Sequence, residues 1–139
     1  MRNRLLCTIL LAALAAPIGA LAADSYTMQD YESVPKIDAH LHLHGLEQGP
    51  FLALARKANF RALTINVDYP VFPALEQQQR VASKLHHEHP ATVGWIASFS
   101  ADNLLQPAWI PATLHRLDAA LEDGAVGVKV WKNIGMSER

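Results

Sequence analysis

Lys36-Ile37-Asp38-Ala39-His40-Leu41-His42-Leu43 reads as an apolar strand that carries two histidines at i and i+2 beside a carboxylate. Side chains alternate between the two faces of a strand at about 3.3 Å per residue, so His40 and His42 share a face about 6.6 Å apart along the backbone. Two imidazoles placed in this way can converge on one metal ion. Zinc-type sites hold histidine nitrogen at about 2.0–2.1 Å, and a catalytic site uses three protein ligands with one open position. Further ligands must therefore come from elsewhere in the fold. By the same alternation Asp38 lies on the histidine face, deeper in the structure. There it would act as an acceptor that fixes an imidazole tautomer, or as a weak third ligand. Burying two polar rings among Ile37, Leu41 and Leu43 without partners costs a few kcal/mol, so a bound ion is a natural resolution.

Downstream of this strand, β-branched runs alternate with helical ones. A turn over Gly45–Pro50 feeds a helix at about Phe51–Asn59, and a strand follows at Arg61–Val67, closed by Asp68-Tyr69-Pro70. A helix over about Pro73–His89 stops before Pro90, as the backbone restriction ahead of proline requires. Thr92–Phe99 forms a third strand. A helix spans about Ile110–Glu122 with Leu114, Leu117 and Leu121 on one face, and Asp123-Gly124 ends it. Ala125–Trp131 is the fourth strand. Strands separated by helices of this length indicate right-handed βαβ units on a parallel sheet. The fold class expected is α/β, a (β/α)8 TIM-barrel type cut to about its first four strands, since a full barrel needs about 250 residues and this chain has 139.

The first 22 residues read as a signal peptide. Arg2 and Arg4 precede the apolar run Leu5–Leu14, and Ala20-Leu21-Ala22 supplies a small-x-small cleavage site. Residues 23–35 form an extended lead-in and 36–139 the barrel-like portion. The chain is therefore expected to be exported, periplasmic or secreted, with no stable membrane association after cleavage. Cys7 is the single cysteine; it falls inside the leader, so the mature part forms no disulfide. Removing Arg2 and Arg4 leaves ten basic against thirteen acidic side chains. No basic patch with interleaved aromatic residues points to nucleic acid. Open sheet edges invite pairing, so homo-oligomer formation is admitted.

His44 continues the alternation but falls where the strand gives way to the Gly45 loop, and it reads as a solvent-exposed loop histidine. His86, His87 and His89 crowd a helix end, where polar or positive groups suit the helix dipole without any ligand. The fourth strand carries Lys129 inside an apolar run. Three readings stay open for it: a carbamate formed with carbon dioxide that ligates metal, an ammonium or amine serving a substrate carboxylate, or a stem that snorkels to the surface. Lys132 reads as a solvated residue at the strand's exit.

Together, the Ile37-Asp38-Ala39-His40-Leu41-His42 strand, the βα repeats and the Gly127-Val128-Lys129-Val130-Trp131 strand resemble the amidohydrolase superfamily, in particular its amidohydrolase-2 branch of metal-dependent TIM-barrel hydrolases and decarboxylases. The resemblance covers about residues 35–136. It implies His40 and His42 as metal ligands, Lys129 as the lysine that some subtypes carboxylate, and a divalent cation, zinc first with manganese or iron as alternatives. It also implies a small-molecule substrate attacked at a carbonyl-type carbon by metal-activated water. The family's later histidines and the aspartate that takes the water proton have no counterpart in these residues. The catalytic base is thus unassigned, and the chain is expected to be inactive alone. A decarboxylase of the same branch and a non-catalytic exported metal-binding domain are the competing readings.

Overall fold

A computed structural model describes residues 25–45 and 47–136, so the leader and Cys7 lie outside the described residues. After a 3-10 turn at Met28–Asp30 come β1 (Lys36–Leu41), α1 (Gly49–Lys57), β2 (Phe60–Ile65), α2 (Leu75–Glu88), β3 (Val93–Ser98), α3 (Trp109–Glu122), β4 (Val128–Lys129) and a short helical segment, α4 (Asn133–Met136), interrupted by Gly135 at φ 95°. The strands pair in the order β1-β2-β3-β4 and every pairing is parallel, in a sheet curled like half a barrel. Among the described residues no helix is long and apolar enough to cross a membrane.

Residues in one row of a parallel sheet share a face. The rows Ala62–Val93, Thr64–Trp95 and Ala97–Val128 form the side on which α1, α2 and α3 pack. Two buried clusters fill that interface. In one, Leu52 of α1 and Val81 and Leu85 of α2 meet Leu43 and Val93; in the other, Trp95 is seated among Ala82, Ala97, Ala120 and Ala125. The rows Ile37–Arg61, Leu63–Gly94 and Ser98–Lys129 form the opposite face. That face is open. Ile37 is 68% exposed on it, and a groove of about 200 Å³ runs between Ile37, Leu63, Gly94 and Val126.

Helix α2 shows why burial follows sequence. Leu75, Gln78, Val81, Ala82 and Leu85 recur at helical spacing and are all buried, leaving the charged side chains outside. In α3 the outcome differs from the expected leucine stripe. Leu117 is half-buried against the Trp95 cluster and Ala120 is buried, while Leu114 and Leu121 are 55% and 47% exposed. The side that meets the sheet is the 113/117/120 stripe, rotated away from the 114/121 one. The fourth strand is likewise shorter than its apolar run: only Val128–Lys129 join the sheet, paired with β3.

Gly124 ends α3 in a left-handed conformation at φ +96°, with its N–H donated to the Leu121 carbonyl at 3.1 Å. A Cβ there would stand 2.8 Å from His86 Cδ2 and 3.0 Å from His86 Nε2. Gly124→Ala is expected to cost about 2 kcal/mol, from left-handed strain plus the clash. Urea denaturation checks this, and a loss below about 0.5 kcal/mol would show that the turn accommodates a side chain.

Candidate metal centre

The histidine strand departs from simple alternation at one point. Asp38 pairs with Ala62 and Leu41 with Thr64, so β1 spends three residues where β2 spends two. Such a bulge leaves a residue out of the ladder and re-aims the side chains beyond it. Here the His40 N–H is taken by the Asp38 carboxylate at 2.9 Å. Because Ala62 and Thr64 share a face, Asp38 and Leu41 do as well, and His42 points the opposite way. Leu41 and Leu43 pack into the helix-side core, which places His42 on the open face at the carboxyl end of the sheet. The expectation that Asp38 joins His40 and His42 on one face is corrected accordingly: Asp38 shares the row of Ala62, and its carboxylate closes the bulge instead of meeting an imidazole nitrogen.

Past the bulge the two rings come together. The ring centres of His40 and His42 are 5.5 Å apart with planes at 88°. Two imidazoles bound to one tetrahedral ion at about 2.0–2.1 Å per nitrogen have ring centres roughly 5 Å apart, so the pair fits two ligand positions. The Nδ1 nitrogen of His42 stands 2.8 Å from the Ile65 carbonyl. A carbonyl only accepts, so Nδ1 carries the proton and donates it, which leaves Nε2 as the ring nitrogen whose lone pair is not engaged by that bond. Metal-binding histidines are commonly oriented by an outer hydrogen bond of this kind.

His44 is not the solvated loop residue expected from its place beside Gly45. It is half-buried and stacked on His42, with centres 5.9 Å apart and planes at 11°. Burial, and after it the repulsion that a protonated His42 would exert, hold its imidazole below the ordinary histidine value. Phe72 caps both rings, 5.1 Å from His42 and 4.6 Å from His44. Beyond Phe72 the aromatic contacts continue to Tyr69 at 6.4 Å, and from Tyr69 to Trp131 at 6.0 Å.

Lys129 lies in the row of Ser98 on the open face, half-buried. Its carbonyl accepts the Ser98 hydroxyl at 2.9 Å, and its ammonium has no ion-pair partner among the described residues. It shares the face of His42 from a strand three spacings away, roughly 14 Å along the sheet. The α2 histidines stay apart from this site. His86 donates Nδ1–H to the Val93 carbonyl at 2.8 Å, and His87 contacts Ser83 within its own helix. Among the described residues no group of three or more His, Cys, Asp or Glu side chains is placed to hold an ion. Among the described residues the candidate centre therefore consists of two neighbouring imidazoles, an exposed His40 and a half-buried His42, and their supports.

Three features of this site carried little signal in the sequence. Phe72 and Tyr69 sit in the turn after β2 and Trp131 just past β4, where aromatic residues have no periodicity to mark them. Gln78 left a clearer trace, a polar residue on the apolar stripe of α2. It is 2% exposed; its Oε1 accepts the Val67 N–H at 2.9 Å, and its Nε2 donates to the Val67 carbonyl at 2.8 Å and the Pro73 carbonyl at 2.5 Å. It thereby clamps both ends of the loop that carries Tyr69 and Phe72. No protein-family model matches the chain, and comparison with curated proteins and with solved structures returned no match either, which leaves function to be argued from these residues.

Proposed function

We propose that this chain belongs to a metal-dependent hydrolase of the amidohydrolase type, built on a (β/α)8 barrel of which the curled sheet is about half. The single observation that supports this most is His42: its proton is fixed on Nδ1 by the Ile65 carbonyl, and its ring centre lies 5.5 Å from that of His40 at the carboxyl ends of parallel strands. Parallel barrels build their active sites at that end. A bound zinc, or manganese or iron in its place, would lower the pKa of a water toward 7 so that hydroxide attacks a carbonyl-type carbon. His40 and His42 would hold two positions of that ion, and Lys129 faces the same space as a candidate third group, carboxylated or not. The substrate class is a small molecule. Export through the N-terminal leader belongs to the same proposal, and N-terminal sequencing of the secreted protein checks it, with cleavage expected after Ala22.

Isothermal titration with zinc tests the ligand assignment. One weak site per chain is expected, and His42→Ala should reduce affinity by at least the roughly 10–100-fold that loss of an outer hydrogen-bond partner costs. Unchanged stoichiometry and affinity in that variant would sink the assignment. With zinc or manganese supplied, the mature chain alone is expected to show no turnover on amide, ester or lactone panels, because a catalytic site needs a third ligand and a positioned base. Metal-dependent turnover that disappears in His40→Ala would show instead that the pair and its neighbours suffice.

The convergence of only two metal-capable side chains among the described residues favours one second reading, a non-catalytic exported metal-binding domain. Zinc binding with no turnover in any longer form of the protein would favour that reading. Release of carbon dioxide from a carboxylated substrate would point to the decarboxylase alternative.

A further inference from the structure

We infer that the aromatic arc beginning at His42 is a subsite for a planar aromatic ring carried by the metal-bound ligand, so that the substrate is an aryl-bearing carbonyl compound. The inference rests on the proposed metal site and extends it to the group next to the reacting carbon.

The arc is continuous. Phe72 stands 5.1 Å from His42, Tyr69 6.4 Å from Phe72 and Trp131 6.0 Å from Tyr69. These side chains come from two separate segments, the loop after β2 and the residues just past β4, and they meet at the carboxyl ends of the strands. None of the three belongs to either buried cluster, so core packing does not account for them. Tyr69 remains 47% exposed and Phe72 and Trp131 are half-buried, which leaves ring surface available along an arc that starts at His42 through Phe72. Successive separations of this size and tilted planes between 58° and 60° are the edge-to-face geometry that a further ring can join. The arc is also held in place, because the Gln78 amide bonds Val67 and Pro73 at either side of the Tyr69–Phe72 loop. At its far end the Lys132 ammonium lies 5.6 Å from the Trp131 ring centre. Ligand sites combine such apolar walls with a few orienting polar groups; here the polar groups are the two imidazoles.

Hydroxamates test this without requiring turnover, since they bind zinc through two oxygens whatever group they carry. Acetohydroxamate and benzohydroxamate differ only in a methyl against a phenyl. On the zinc-loaded chain, followed by calorimetry and by NMR of the aromatic side chains, benzohydroxamate is expected to bind about tenfold more tightly, the factor one ring contact supplies. Trp131→Ala, which leaves the histidines and their neighbour Phe72 in place, should keep zinc affinity and bring the two hydroxamates to within about twofold. Phe72→Ala should also erase the preference. Equal affinity of the two hydroxamates for the unaltered chain would overturn the subsite, as would a phenyl preference that survives both substitutions. If the chain fails to retain zinc, the metal reading falls by itself. The subsite is then decided by benzamide on the metal-free chain: shifts at Phe72, Tyr69 and the Trp131 indole N–H uphold it, and their absence overturns it.

Discussion

Trp95→Ala is expected to lower the unfolding free energy by about 3–5 kcal/mol, the usual cost of removing a buried tryptophan side chain. The indole is 0% exposed, and the buried residues packed around it, Ala82, Ala97, Ala120 and Ala125, are all alanines. Alanine side chains cannot swing into the vacated space, so little of the cavity would collapse. A domain of this size is held by only about 5–15 kcal/mol, and α2, β3 and α3 all meet at this ring. Trp95→Phe should be much milder, below about 1.5 kcal/mol, because the indole Nε1–H has no acceptor among the described residues and phenylalanine forfeits no hydrogen bond. Urea unfolding followed by circular dichroism measures both. A loss under about 1 kcal/mol for the alanine variant would mean that Trp95 is not the centre of that core.

Gln78→Ala is expected to cost about 2–4 kcal/mol, since buried backbone groups left unpaired forfeit about 1–3 kcal/mol each. Three hydrogen bonds leave with the amide, and Val67, whose N–H and C=O lose their partner, is only 1% exposed. Gln78→Leu separates hydrogen bonding from volume: it refills the space but restores no partner, so it should be nearly as destabilising as alanine. Recovery of stability by leucine would show that packing, not polar satisfaction, is what Gln78 provides. Hydrogen exchange at the Val67 amide supplies the local readout, with protection falling in both variants. The effect reaches the site, because the freed loop carries Phe72 against His42 and His44.

The order of elements was legible because each rests on a local period. The β1, β2 and β3 runs and the α1, α2 and α3 helices appear within a few residues of where spacing and turn signals place them, and Asp123-Gly124 ends α3 as glycine chemistry requires. Parallel pairing followed from the helices between the strands. At the site, the approach of His40 to His42 was readable from an i, i+2 spacing. The placement of Asp38 was not, because a bulge depends on how β1 meets β2, and an eight-residue alternation looks the same with or without it. The burial of His44 was not legible for a related reason: the ring that packs on it is Phe72, 28 positions away in sequence.

The amino-acid sequence by itself determined the α/β alternation, the covered and exposed stripes of α2, and a pair of histidines close to one strand's end, all consequences of spacing within a single element. Tertiary structure alone decided which way those histidines face, which nitrogen of His42 keeps its proton, and which rings gather around them. Each of these depends on groups that meet only when β2, the loop after it and the residues past β4 are brought beside β1, and a backbone carbonyl such as that of Ile65 is chemically the same at every position until the fold selects one.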